Sequence, residues 1–423
     1  MRRQGKRTAV PGSALLVAAI LAAASGLALP APAQPEAPPG ATVEGLLALG
    51  HRLSPALRAA ALDTASASAR AEAAGALDDP VLSENYQRYR SGSLFSMNFI
   101  TVSQTFPLWG KRDLRHRAAL ADVDAARGRE RAARDEHDEE VKAAFARYYA
   151  FTRAVAVNKR IAGLARQARA ATTARYGQGG GDQGGAIQAM SEETSVAVEG
   201  ARLEAERASA AARLNALLAR PPGAPLAEPQ RLRPMPSVMP GIETLLERAR
   251  GSNGTLQANT AEIAAAQTQR QLADRAWYPD VTVGAGPIVQ TNAPTGVSAT
   301  VSLSIPLQRG VRRAGEQEAS ARLGAAQQRF EAAMASIQGD LGQALARLEA
   351  IRRVDSLLRR QALPQAQAGY QSLLAGYGQG RGDLAAVIMA ERRVHDADLE
   401  LLRTEADEQA ALAAVERLIG GDL

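Results

Sequence analysis

Two hydrophobic rhythms alternate along this chain. The slower one is helical. Val141, Phe145, Tyr148, Thr152 and Val155 fall in steps of four and three, and Ile337, Leu341, Ala344, Leu348 and Ile351 repeat the pattern in the second half. That spacing draws a narrow apolar seam, as in a coiled coil, rather than the broad face of a globular helix. From Lys111 to Tyr176 there is no proline, and from Val311 to Tyr377 only Pro364. At 1.5 Å rise per residue, a helix of about 65 residues is ~100 Å long. Shorter helices are predicted at 43–77, 183–219, 242–276 and 384–419. The faster rhythm has period two. Val281-Thr282-Val283 and the run from Val297 to Ile305 alternate apolar and polar, as strands do. Their first-half counterparts, 81–90 and 97–106, alternate less cleanly and carry Tyr86, Tyr89, Phe95 and Phe99. With turns at Ser91-Gly92-Ser93 and at 291–296, these strands approach the about 9–11 residues of a tilted membrane strand.

The two halves are versions of one unit. Leu46, Leu57, Pro80 and Phe106-Pro107-Leu108 recur 199 residues later as Leu245, Leu256, Pro279 and Ile305-Pro306-Leu307. Further on, Tyr176-Gly177-Gln178-Gly179 recurs as Tyr377-Gly378-Gln379-Gly380, and Asp182 as Asp383, now 201 residues apart. A constant offset with one small shift marks a duplication. The first repeat is expected at 43–219, with a β-hairpin at about 81–106 and a long helical hairpin whose tip is at about 176–182. The second is expected at 242–423, with strands at about 281–305 and a tip at about 377–383. A linker at 220–241 holds Pro221, Pro222, Pro225, Pro229, Pro234, Pro236 and Pro240, which exclude a helix.

Charge and composition narrow the function. The chain has a net charge of +6, no Cys and 4 His. Arg2, Arg3, Lys6 and Arg7 precede an apolar run that ends at Ala31-Pro32-Ala33, the form of a secretory signal peptide at 1–33, followed by a loose leader at 34–42. Without those four basic residues, and with no acids lost, the charge falls from +6 to +2, which removes the case for nucleic acid. The absence of Cys excludes disulfides, thiol nucleophiles and thiolate metal sites. No G-x-S-x-G elbow or phosphate-binding loop is present, so no enzymatic activity, cofactor or metal site is expected. Beyond the leader no stretch reaches the ~18 consecutive apolar residues of a spanning helix, so membrane insertion has to come from strands. Four strands cannot close a barrel, and an open edge is not tolerated in lipid. Copies must therefore pool strands, giving eight from two or twelve from three.

At this point the residues resemble a family, the TolC-like outer-membrane efflux proteins. The resemblance rests on the duplicated order and on Phe106-Pro107-Leu108-Trp109-Gly110-Lys111-Arg112 after the second strand. It rests also on the Tyr-x-x-Gly turns and on Leu214-Asn215-Ala216-Leu217-Leu218 with its repeat. It implies a mixed α/β membrane protein: a homotrimer with a 12-stranded outer-membrane barrel continued by a periplasmic α-helical barrel. It further implies a passive exit duct that docks through its tips to a periplasmic adaptor, itself joined to an inner-membrane pump of RND or ABC type. The Phe-Pro-x-x-Gly-Lys segment looks most like the heavy-metal and cation branch. A type I secretion duct and a periplasmic coiled-coil adaptor or spacer are the alternative readings.

The resemblance nominates Tyr176, Gly179 and Asp182 on one tip, and Tyr377, Gly380, Arg381 and Asp383 on the other. Pro107, Gly110, Lys111 and Pro306 mark the strand-to-helix turns. Asp182 and Asp383 sit where helix N-caps belong, and that reading is preferred for them over gating. The glycines supply left-handed turns in the simpler reading. Arg381 has no basic counterpart on the first tip, where Gly180 stands, and is assigned a contact role. Some relatives carry an aspartate ring beyond the second tip; here Ala385-Ala386-Val387-Ile388-Met389 is apolar, so a constriction there would be hydrophobic. The acidic run 135–140 is expected on a solvated face balanced by Arg131 and Arg134. His51, His116 and His395 are expected to be structural or on the surface.

Overall fold

In the computed structural model, which describes residues 38–91, 93–178, 183–290, 294–379, 381 and 383–423, the chain alternates helix and strand twice. The order is α1 (Val43–Leu53), α2 (Pro55–Ala74), β1 (Val81–Ser91), β2 (Ser93–Phe106), α3 (Lys111–Gly177) and α4 (Gln183–Leu217). Then come α5 (Ile242–Ser252), α6 (Gly254–Arg275), β3 (Asp280–Gln290), β4 (Gly296–Ser304), α7 (Arg309–Leu357), a π-helical turn (Leu358–Ala362), α8 (Leu363–Gly378) and α9 (Leu384–Ile419). The expected signal peptide and residues 34–37 lie outside the described residues.

Three expectations about continuity are corrected. The helices at 43–77 and 242–276 are each broken in two. Ser54 adopts φ −58°, ψ 121°, because the proline that follows it disfavours the helical region. Asn253, at the equivalent position, adopts φ −64°, ψ 122°, and its side chain caps α6 by accepting from the Leu256 amide at 3.1 Å. The second long helix is interrupted by the π-helical turn just before Pro364, which relieves the carbonyls that proline cannot pair. Strand β2 begins at Ser93, not 97.

The four strands form one antiparallel sheet in sequential order, β1-β2-β3-β4, so β1 and β4 are its edges. Its register separates two faces. Leu82, Val102, Ala285 and Ala299 share one rung of the first face, and Val283–Val301 and Val281–Leu303 the rungs below. This apolar face is bare: Leu82 is 69 % exposed, Val297 83 % and Val301 74 %. The opposite face carries Thr105–Thr282–Ser302 and Ser103–Gly284–Thr300, then the Gly286–Ser298 pair, where β2 and β3 briefly cease to pair. Apolar residues therefore face out where a soluble protein would place polar ones.

The seam residues Val141, Phe145, Tyr148, Thr152 and Val155 are buried, as are Ile337, Leu341 and Leu348. Two equivalent clusters anchor the helices midway. Leu46, Val141, Leu214 and Leu218 meet in one, and Leu245, Leu341, Val415 and Ile419 in the other. Between them Lys142 is buried with its ammonium 2.8 Å from Glu416, which also accepts two bonds from Arg233 at 2.9 and 3.1 Å. Asp422 completes the cluster on Lys142. A buried charge survives only with such partners, and here they tie α3, the proline-rich linker and the chain's last residues together.

The two long helices differ in how much they are covered. Helix α3 packs against α2, α4, α6 and α9, whereas α7 packs against α5, α6 and α9 and buries only Ala319, Ala326, Ile337, Leu341 and Leu348. Where α3 crosses α6 the backbones nearly touch: a Cβ on Gly128 would stand 2.5 Å from the Ala258 amide nitrogen, and one on Gly254 2.4 Å from that of Ala132. Gly163, on the same helix, has nothing within 4 Å. Gly128→Ala should therefore destabilise the fold by about 1–3 kcal/mol through overpacking. Gly163→Ala should be neutral or stabilising, since alanine is the better helix former; denaturant midpoints of the two variants check the contrast.

Candidate functional site

Strand β2 ends before Pro107, and the chain must then reverse into a helix. It does so with two successive left-handed residues, Trp109 at φ 62° and Gly110 at φ 74°. Glycine adopts this at no cost, but tryptophan does not. Contacts offset the strain: the Trp109 indole N–H donates to the Pro279 carbonyl at 3.0 Å, and its ring lies 5.1 Å from that of Tyr278. Lys111, 6 % exposed, donates to the Tyr278 carbonyl at 2.7 Å and to Asp280 at 2.9 Å. Pro306 lines, with Lys111, Tyr278 and Asp280, a recess of about 260 Å³. The four junction residues nominated from sequence are thus gathered at one place. Their binding partners, Tyr278, Pro279 and Asp280, come from the second repeat and were missed, because a sequence match shows what recurs and not what touches.

At the tips, Gly179, Asp182 and Gly380 lie outside the described residues. Asp383 is the N-cap of α9, accepting from the Ala385 amide at 3.1 Å. Arg381 turns back on its own loop, its amide donating to the Gly376 carbonyl at 2.9 Å and its guanidinium to Gln379 at 3.1 Å. Tyr377 and Tyr176 part company. The Tyr377 hydroxyl accepts from Arg175 at 3.1 Å, with the guanidinium 5.6 Å from its ring centre, so Arg175 joins the two hairpins. Tyr176 is 47 % exposed. Arg175 was not nominated; its repeat counterpart is Gly376, and the asymmetry was its only signal.

The family model for outer membrane efflux proteins matches residues 49–220 and 245–421, most of the chain. The chain belongs to the outer membrane efflux protein family. Among solved structures it is similar to the outer membrane protein VceC of Vibrio cholerae, at 20% identity and a TM-score of 0.75 over 90% of this chain and 96% of that one. It is similar also to the MtrE outer membrane channel of Neisseria gonorrhoeae, at 18% identity and 0.75 over 90% and 89%. A membrane protein from Pseudomonas aeruginosa gives 20% and 0.76 over 92% and 98%. At these identities the likeness shows the fold, a largely helical one of the α-helical barrel type. No curated protein sequence matches.

In this efflux protein the acidic run is shared among neighbouring helices: of the two arginines expected to balance it, Arg134 acts on Asp135, whereas Arg131 donates to Gln257 of α6. Asp138 pairs with His51 of α1 at 2.5 Å, Glu140 with Arg213 of α4 at 3.3 Å, and Glu139 with Arg417 of α9 at 2.5 Å. Burial lifts the Asp135 carboxyl to a pKa of about 6, reinforced by Asp138 and opposed by Arg134 and Lys142. His137 and His395 are buried, and burial holds both below the usual histidine value. Of the apolar stretch beyond the second tip, Val387 and Ile388 pack inside the protomer, and Met389 is 58 % exposed. Among the described residues no group of three or more acidic or histidine side chains is placed to hold a metal ion.

Two expectations follow. A carboxylate with a raised pKa favours the folded state only when protonated, so its effect stabilises the fold as pH falls from about 6 toward about 4 and destabilises it above. Asp135→Asn should raise stability at neutral pH. It should also shrink the gain on acidification, to which the raised carboxyls of Asp122, Glu391 and Asp398 still contribute against the opposite slope of the buried histidines; melting curves of wild type and variant between pH 4 and 7 read the difference. At the tips, Arg175→Ala should raise single-channel conductance several-fold in planar bilayers, while Tyr176→Phe leaves it unchanged. Equal conductance in wild type and Arg175→Ala would show that this contact does not hold the hairpins together.

Proposed function

We propose that three copies pool their sheets into a twelve-stranded outer-membrane barrel, continued into the periplasm by a tunnel of their helices. The carrying observation is the sheet itself: a bare apolar face combined with two unpaired edges, β1 and β4. Soluble proteins avoid each of these features, and lipid forbids the second unless other strands close it. Aromatic side chains bracket the apolar face. Phe106, Trp109 and Tyr278 lie near its helical end and Tyr86 near the other, as in the aromatic girdles of membrane barrels. The under-covered α7 and the exposed outer side of α2 give the helices a matching pair of free flanks.

In this reading the assembly is a passive exit duct of a tripartite efflux system. A periplasmic adaptor grips the hairpin tips around Tyr176, Gly179, Asp182, Tyr377, Gly380, Arg381 and Asp383, and an inner-membrane pump of RND or ABC type supplies the energy. Metal cations are the cargo suggested by the Phe-Pro-x-x-Gly-Lys segment. The helices carry no span of their own: among the described residues none is long and apolar enough to cross a membrane.

The protein should fractionate with the outer membrane, migrate on gels in a heat-dependent way, and give a trimeric mass by light scattering in detergent. Recovery in the soluble periplasm would favour a coiled-coil spacer. A monodisperse single protomer in lipid nanodiscs would overturn the pooled barrel.

A further inference from the structure

Ile161 and Ala165 of α3, with stretches of α4 and α9, line a recess of about 700 Å³. That volume falls within the ~300–1,000 Å³ of small-molecule sites. Its polar lining is incompletely paired. His395 of α9 is 6 % exposed, yet neither ring nitrogen has a hydrogen-bond partner. One turn earlier the Oε1 of Glu391 is enclosed, also without a partner. Burial holds His395 below the usual histidine value, so at neutral pH one ring nitrogen is a free acceptor. Charge is unmatched too. Of the arginines lining the recess, Arg392 lies 3.9 Å from Glu192, Arg202 3.7 Å from Glu199 and Arg403 3.7 Å from Glu400. Among the described residues no such cation stands beside the remaining lining acids, Glu391 and Asp396. Burial raises the Glu391 carboxyl above its usual pKa, and the Glu192 carboxylate of α4 adds to the rise. In the same recess Ile161, Val196 and Leu399 supply aliphatic surface.

We infer that this recess binds an organic ammonium ion carrying an apolar part. The ammonium N–H groups would donate to the Glu391 carboxylate and to the acceptor nitrogen of His395, pairing the atoms now left without partners. Its charge would offset the repulsion between Glu391 and Glu192, and its apolar part would lie on Ile161, Val196 and Leu399. A bare metal ion suits the recess less, since no three acidic or histidine side chains among the described residues are placed to hold one. All the lining helices belong to one copy, so the site does not depend on the pooled barrel. It would give the chain a solute preference of its own, apart from that of any pump.

Dansylcadaverine, a fluorescent primary amine, tests this by titration against the purified protein in nonionic detergent, with its N-acetyl derivative as the uncharged control. Wild type should bind the amine about ten-fold more tightly than the acetylated probe, a comparison that needs no variant to fold. Glu391→Gln removes the charge and keeps the side chain's size. It should weaken the amine about ten-fold and leave the acetylated probe unchanged. Glu193→Gln, next to Glu192 in sequence but outside the recess lining, should leave both unchanged. Equal affinity of wild type for the two probes would overturn the site. So would an amine affinity that Glu391→Gln leaves intact, or one that Glu193→Gln lowers as much.

Discussion

A strand edge in hydrocarbon has nowhere to place its N–H and C=O groups, and the rest of this molecule follows from that constraint. Water satisfies a sheet edge in solution; lipid does not. A protomer with four strands and an apolar outer face is unfinished in either medium. In water it exposes Val297 and Val301, and in lipid it exposes the backbones of β1 and β4. Closing the sheet with further copies answers both problems together. In the proposed assembly that closure would also place the helices, because each β-hairpin leads directly into a long helix through Pro107 or Pro306. Strands arranged around an axis bring their helices around the same axis.

The helices meet a different constraint, which is narrowness. An alanine-rich chain with few aromatics cannot fill a wide core, so its helices must approach closely. Gly128 against Gly254 is the extreme case, where any side chain would collide with backbone. Close approach leaves little room for polar groups, and the buried charges at the middle of the helices come as a set. Lys142, Glu416 and Arg233 satisfy one another, with the exposed Asp422 closing the set from outside, at the point where linker and C-terminal residues meet the helices.

Much of this architecture was legible in the sequence because periodicity reports burial directly. The four-three steps found Val141, Phe145 and Leu341, and the period of two found β3 and β4. What periodicity could not show was contact between segments far apart. Asp138 and Glu140 read as a solvated acidic run, yet their partners His51 and Arg213 lie on other helices. The break at Ser54 was readable from Pro55, but the matching break at Asn253 had no proline to announce it. The π-helical turn was foreshadowed only by Pro364. Among the tip residues, Asp383 could be assigned as an N-cap from its position, whereas Arg175 and its grip on Tyr377 could not, since nothing in the repeat required it.

Duplication also creates a hazard, and the distribution of specific contacts answers it. With two similar modules per chain, each junction between neighbouring modules could form within a copy or between copies. The within-copy junction carries Lys111 on Asp280, Trp109 on the Pro279 carbonyl, Gly128 against Gly254, and Arg175 on Tyr377. At the equivalent positions, the junction between copies in the proposed trimer would have Gly310 facing Val81, Gln308 near Pro80, Gln327 against Pro55, and Gly376 beside Tyr176. Of those pairs only Gln308, an amide donor beside the Pro80 carbonyl, has the groups to reproduce the contact it replaces. A module's own partner is thus distinguished from a near-copy by groups that would be left unpaired or in collision with the wrong one. In the proposed trimer, association between copies would fall to the open strand edges and the uncovered sides of α2 and α7.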